Sequence, residues 1–374
     1  MTDPDVVVVG GGLAGLISAL ELARCGHQVT LVERKTYPFH KVCGEYVSNE
    51  VRDYIESLGV DLTRLGAASI SEFVVSSPSG RQLTAPLDLG GFGISRYQLD
   101  YTLYQLGQRA GVSFLTGLSV DDVQFATDRF VVTLSDGQVI RCRQVIGTFG
   151  KRTRLDKVLD RAFVRQPAPY VGVKYHVRMD FPRNRIALHN FADGYCGMSA
   201  IENDAYCVCY LTTRENLRRY GSIPAMEQAV LYKNPQLKAV LSDATHLYER
   251  PEVINDISFA PKQAVDNHIL MAGDSAGLIT PLCGNGMAMA IHGAKLVSQL
   301  THAFLVGQLT RSALETTYQR EWSGRFSRRL WVGRTVQKLF GSPIVSELAL
   351  SAFAIARLAL RQIMQHTHGD VIEV

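Results

Sequence analysis

The chain has 374 residues, of which 46% are hydrophobic and 20% charged, with a formal net charge of +4. That composition belongs to a folded globular protein and excludes a disordered or low-complexity one, while the weak positive balance gives no footprint for nucleic acid. A prior of about 150 residues per domain predicts two domains or one large α/β unit. The opening MTDPDVVVV has no basic n-region or cleavage pattern and enters a strand at once, so a cytoplasmic protein without a signal peptide is expected. Seven cysteines (Cys25, Cys43, Cys142, Cys196, Cys207, Cys209 and Cys283) are scattered and odd in number, which predicts reduced, packed thiols and no metal site.

The first chemistry lies at the N-terminus. Val6 to Val9 is an apolar β-branched run, GGGLAGLISALELARCG follows with helical periodicity, and QVTLVE reads as a second strand. These make a βαβ unit of about 30 residues. Within it, Gly10-x-Gly12-x-x-Gly15 opens the helix, and Glu33 closes the next strand. In this pattern the first glycine makes the tight turn, the second admits a pyrophosphate to the backbone, and the third lets helix and strand pack closely. The helix N-terminus turns unsatisfied N–H groups toward the phosphates. Glu33 is placed to accept hydrogen bonds from ribose hydroxyls and to repel a 2′-phosphate, so NAD and FAD remain open and NADP is disfavoured in this pocket.

Farther along, residues 48–60 and 97–111 are predicted helical, the second placing Leu99, Leu103 and Leu106 on one face. A three-stranded meander follows, with Asp136-Gly137 as a hairpin turn, and then a strand ending at Gly147. Residues 170–211 supply four consecutive strand-like segments and residues 214–245 read as helices. An antiparallel sheet inserted in this way is expected to form a second domain covering a site. Late in the chain, ILMAGDSAGLITPLCGNGMAMAIHGA carries five glycines.

GGGLAGL with Glu33, the helix opening at Arg96, and the AGDSAG…P…GNG stretch together resemble the FAD-dependent oxidoreductases of the p-hydroxybenzoate hydroxylase and geranylgeranyl reductase superfamily, over about residues 5–305. KVCGEYVS at 41–48 and GYCGMSAIENDAYCVCYL look like segments of the geranylgeranyl-reductase-like branch. The resemblance implies an α/β fold: a discontinuous Rossmann-type (GR2-like) FAD-binding domain of residues 1–75, 95–165 and 255–310. An inserted antiparallel substrate domain of 76–94 and 166–254, and a C-terminal helical cover of 311–374, complete it. It also implies that Asp274 serves the flavin ribitol chain and that Arg96 approaches the pyrophosphate. Pro281 to Gly286 would lie against the flavin ring, where side chains at Gly284 and Gly286 would take up its space. Leu13 and Ala14 at the helix start, Arg34 beside Glu33, Lys41, Gly273, Asn285 and Met287 complete the expected FAD contacts. The helix beginning near Met287 would stabilise negative charge on the reduced flavin.

One departure concerns the nicotinamide donor. Hydroxylases of this superfamily carry an Asp-Gly pair after the meander, and GTFGKRTRLD has Phe149 there. With a single G-x-G-x-x-G, reduction would use a transient NAD(P)H site or a reductase partner, with Lys151, Arg152 and Arg154 either meeting a phosphate or forming a solvated turn. For catalysis the resemblance brings Lys41 and Glu45 toward the flavin, and the inserted sheet offers His189 and Tyr195, with His176, to the cavity as acid/base groups; each histidine also reads as a satisfied residue on a sheet face. The expected function is that of a monooxygenase acting on an apolar aromatic, polyketide-like or lipid substrate. The alternatives are a flavin C=C reductase of an isoprenoid lipid, a halogenase (although W-x-W-x-I-P is absent) and a flavin-binding redox sensor without turnover. After residue 310, apolar helix interleaved with Arg325, Arg328, Arg329, Arg334 and Lys338 reads either as a cover over the substrate domain or as a peripheral lipid-facing surface; 343–364 is too polar at its centre to span a bilayer.

Overall fold

The computed structural model describes residues 3–280, 285–340, 345–348 and 371–373. Val6–Val9, wholly buried and β-branched, forms the centre of a six-stranded sheet. Val29–Glu33 and Gln144–Gly147 flank it in parallel, followed outward by Ser113–Thr116 on one side and Ile269–Met271 on the other, both parallel. Val265–Asp266 closes the edge as an antiparallel strand. Helix Leu13–Arg24 packs against Arg96–Arg109 and Gly286–Leu305. The expected meander, Val120–Ala126, Arg129–Leu134 and Val139–Cys142, sends Val123, Phe130 and Val132 into the same core. Buried on both faces, the parallel strands read as continuous apolar runs.

The second sheet has nine strands. Its heart is the predicted set Tyr170–Arg178, Arg185–Phe191, Gly194–Ala200 and Tyr206–Thr213, paired antiparallel. Ala68–Ser76 joins it parallel to Arg185–Phe191, and Gln82–Gly93 and Tyr46–Ser48 continue from there. The boundary expected at residue 76 therefore falls at the end of a sheet strand rather than before it, because the pairing is with a strand more than 100 residues later and leaves no local mark. The outer face is covered by Ile223–Ala229 and Pro235–Asp243, through Met226 and Leu237. The inner face looks toward the first sheet's strand ends.

Helix Arg311–Phe340 buries Leu314, Tyr318, Trp322, Phe326 and Leu330, one residue in four along a single face. That face packs on the first domain: the Tyr318 hydroxyl donates to the Met271 carbonyl at 2.6 Å, and a Cβ at Gly277 would lie 2.9 Å from Trp322. The described helix of the expected cover thus packs its apolar stripe on the dinucleotide unit, while farther along Glu347 accepts from the Ser79 N–H, in a turn of the second sheet, at 2.9 Å. The apolar run 343–364 falls almost wholly outside the described residues, of which only 345–348 belong to it.

Candidate cofactor and substrate site

A cavity of about 820 Å³ runs between the two sheets, from the Gly10–Ala14 turn to the inner face of the second sheet. At the turn, each glycine has a distinct physical reason. Gly10 lies at φ +102°, and a Cβ there would come within 2.5 Å of the Thr148 carbonyl oxygen. A Cβ at Gly15 would stand 2.0 Å from the Gly10 carbonyl oxygen, so only glycine lets helix and turn pack. Gly12 differs from both. A Cβ there would meet nothing closer than Arg96 Nη2 and Lys41 Nζ, both at 3.7 Å. Gly12 also caps helix Leu13–Arg24 without a side-chain hydrogen bond. An open backbone, an uncapped helix start and two flanking cations fit a diphosphate.

Glu33 is buried and accepts from the Gly11 N–H at 2.7 Å and the Lys35 N–H at 3.0 Å, which aims its carboxylate along the cavity. Arg34 lines the same end and is exposed. Arg96 opens helix Arg96–Arg109, which Ser95 caps by accepting from the Gln98 N–H. Its guanidinium grips Asp100 at 2.7 and 2.8 Å, and Lys41 reaches the same carboxylate at 3.0 Å while donating to the Gly11 carbonyl at 2.9 Å. Burial raises the Asp100 carboxyl pKa, but Arg96 and then Lys41 outweigh burial and hold it below the usual range. Gly273, Asp274, Gly286 and Met287 line the cavity from the late segment. Gly273 adopts φ +61° with Ala14 close by, bringing the two halves of the binding domain together. Asn285 stands buried at the start of helix Gly286–Leu305, whose first turn carries no acid. Pro281 and Gly284 lie outside the described residues.

Strand alternation sorts the substrate-side residues. Tyr195, Gly197 and Ser199 pair across with Leu211, Cys209 and Cys207, and the next strand adds Gly172, Lys174 and His176, all on the inner face. Tyr195 is buried and lines the cavity together with Val75, Ile186, Leu188, Leu211 and Ile257. His189 pairs directly with Cys196 and so lies on the opposite face. Its Nδ1 is 2.8 Å from Ser76 Oγ, under the outer helices, and burial holds it neutral with a pKa of about 4. The expected catalytic placement of His189 is corrected by that one-residue phase.

Glu45 and His176 meet, but not as free acid and base. Glu45 is fully buried at φ +56°. One carboxylate oxygen accepts from Lys174 Nζ at 2.5 Å and the Arg96 N–H at 2.8 Å; the other lies 2.6 Å from His176 Nε2. Burial pushes the carboxyl up, but Lys174 and then His176 outweigh it and hold it at about 2. Cys207 completes a group of ligand-type atoms within 4.8 Å of one another, with the Lys174 ammonium already on the carboxylate. Phe149 lines the cavity between Thr148 and Gly150.

Sequence reasoning missed Asp100, Lys174, Tyr37 and Lys262. Tyr37 donates to the Gly11 carbonyl at 2.6 Å and stacks on Tyr104 at 4.5 Å. Lys262 donates to the carbonyls of Lys151 at 2.6 Å and Asp274 at 2.7 Å, tying together two loops that line the cavity; burial pulls its pKa to about 8. Asp100 carried a signal, an acid four residues after an arginine on a helix; Lys174 and Lys262 sat in strand and loop segments with none.

Residues 3–327 match the FAD binding domain family. The chain belongs to this family. Among curated relatives, it is 24% identical over 339 residues to conditioned medium factor receptor 1 of Dictyostelium discoideum, covering 79% of this chain and 62% of that protein. It is 29% identical over 185 residues to a menaquinone reductase of Mycobacterium tuberculosis, covering 46% and 43%. The alignments thus span less than two thirds of these relatives' lengths. The fold matches the crystal structure of PqsL, a probable FAD-dependent monooxygenase from Pseudomonas aeruginosa, with a TM-score of 0.75 at 19% identity over 94% of this chain and all of that one. The family match supports FAD as this chain's cofactor.

Proposed function

We propose that the chain is an FAD-dependent oxidoreductase that reduces a C=C bond of an apolar, lipid-like substrate. The observation that carries this reading is the inner sheet face: Val75, Ile186, Leu188, Leu211 and Ile257 make an apolar wall directly across the cavity from the FAD cradle. When bound, FAD supplies two-electron redox chemistry. The chain's part is to bind and orient. Gly12 and the helix start at Leu13 take the diphosphate with Arg96 and Lys41, Glu33 takes the adenosine ribose, and Asp274 takes the ribitol. The apolar wall seats the substrate and excludes water.

The ordering of reaction types reverses the one expected from sequence. Hydroxylation of an aromatic substrate gains from a base that ionises it. Both oxygens of Glu45 are committed to other groups, and His189 lies on the wrong face. Saturating an alkene takes a hydride at one carbon and a proton at the other, for which the Tyr195 hydroxyl lining the cavity is the donor at hand, and calls for no base that ionises the substrate. Phe149 in place of the hydroxylase aspartate and the menaquinone reductase relative support the same choice. Electrons come from NAD(P)H at a transient site or from a protein donor.

The substrate's apolar character also fits a peripheral membrane location. Trp331 is 63% exposed on the same helix as exposed Arg325 and Arg328. Among the described residues no helix is long and apolar enough to cross a membrane.

The test is anaerobic reduction of the purified protein, followed by mixing in turn with a polyunsaturated isoprenoid acceptor such as geranylgeraniol, whose product is checked by mass spectrometry for the gain of two hydrogens, and with air-saturated buffer. Fast oxidation by the acceptor and slow, uncoupled reoxidation by O₂ support the proposal. Fast O₂ consumption coupled to insertion of oxygen into an apolar substrate overturns it in favour of monooxygenation.

A further inference from the structure

We infer that Lys174, on the substrate sheet, is a positioning residue that fixes the cofactor-contacting loop 41–45 and through it the phosphate cradle. The inference rests on the FAD reading above. Residues 34–45 contain no helix or strand, so each of them costs ordering entropy that no regular hydrogen-bond ladder offsets. What orders residues 41–45 is the inner face of the second sheet. Lys174 Nζ donates to the Lys41 carbonyl at 3.0 Å and to Glu45 at 2.5 Å, holding both ends of the segment with one ammonium. Between those ends, Cys207 Sγ donates to the Cys43 carbonyl at 3.2 Å and Ser199 Oγ to the Gly44 carbonyl at 3.2 Å.

The grip continues into the cradle. Glu45 sits in the left-handed region at φ +56°, a conformation disfavoured for a non-glycine residue. It is kept there by three donors, one of which is the Arg96 N–H that opens the helix carrying Asp100. Lys41, at the loop's other end, reaches the Gly11 carbonyl and Asp100. Substrate sheet, loop and dinucleotide turn are thereby joined through Lys174, Glu45, Lys41 and Arg96, whose side chains are 2%, 0%, 23% and 12% exposed. A salt bridge that only stabilised the fold would not need one ammonium to hold both ends of the same cofactor loop.

The experiment compares holoenzyme carrying Lys174→Met or Lys174→Arg with the wild type. FAD release is measured on dilution from the rise in flavin fluorescence, hydrogen exchange is followed at 41–45, and urea unfolding is measured in parallel. Removing one partner of a buried pair leaves the other charge uncompensated. Lys174→Met is expected to release FAD on the order of tenfold faster, with faster exchange confined to 41–45. Lys174→Arg, which keeps the charge, should recover most of the retention. Should Lys174→Met fail to fold, Glu45→Gln, which keeps the side-chain volume, carries the test and is expected to release FAD several-fold faster. A lower urea midpoint with FAD release and loop exchange unchanged below it would overturn the positioning role. A wild type that takes up no FAD overturns the cofactor reading itself.

Discussion

Arg96 and Asp100, four residues apart on one helix, form a two-point ion pair at 2.7 and 2.8 Å, and the Arg96 Nη2 of that pair lies 3.7 Å from where a Cβ at Gly12 would stand. Asp100 is 2% exposed, so its carboxylate is retained only because Arg96 and Lys41 surround it. Removing the charge with Asp100→Asn is expected to lower unfolding free energy by about 3 kcal/mol, in the range for breaking a buried pair. Urea denaturation measures it; a change below about 0.5 kcal/mol, typical of surface substitutions, would contradict the assignment.

The glycines of the turn make a sharper pair. Gly12→Val should fold and yet lose FAD, because beyond the adjoining chain the atoms nearest the added Cβ are Arg96 Nη2 and Lys41 Nζ, both at 3.7 Å, while the diphosphate's approach is blocked. Gly15→Val should fail to fold, because its Cβ would stand 2.0 Å from a backbone oxygen. Circular dichroism and flavin content of the two purified variants check this. Full FAD occupancy in Gly12→Val would remove the diphosphate role.

His189 is expected to act on stability rather than on turnover. Burial lowers its pKa from 6.5 to about 4, so between those values the unfolded chain binds a proton that the folded chain does not. Its contribution is therefore complete above pH 6.5 and is lost as pH falls toward 4, with a ceiling on the order of 3 kcal/mol. His189→Gln should flatten the fall in urea midpoint between pH 7 and pH 5 and leave FAD binding unchanged. A wild-type slope in the variant, or a loss of FAD, would refute this placement.

Much of this was legible in the sequence because it is local. The βαβ unit, the meander, the four strands of 170–211 and the glycine turn each depend on neighbours within a few residues, and period and turn chemistry report them. The rest depends on long-range register. Ala68–Ser76 lies in the second sheet because it pairs with Arg185–Phe191. His189 faces the helices because the strand is buried on both sides, and RIALHNF, buried at nearly every position with polar His189 and Asn190 side by side, lacks the polar-apolar alternation that would have revealed its phase. Glu45 resembled a catalytic acid by its place in K-V-C-G-E; only the distant Lys174 and His176 make it an anchor.

The measurement that bears most directly on the central claim is the flavin content of the protein as purified, with anaerobic bleaching of its absorbance and the same preparation of Gly12→Val alongside. One FAD per wild-type chain, bleached on reduction and missing from a folded Gly12→Val, is the predicted result. A folded wild type that is colourless and takes up no added FAD would contradict it.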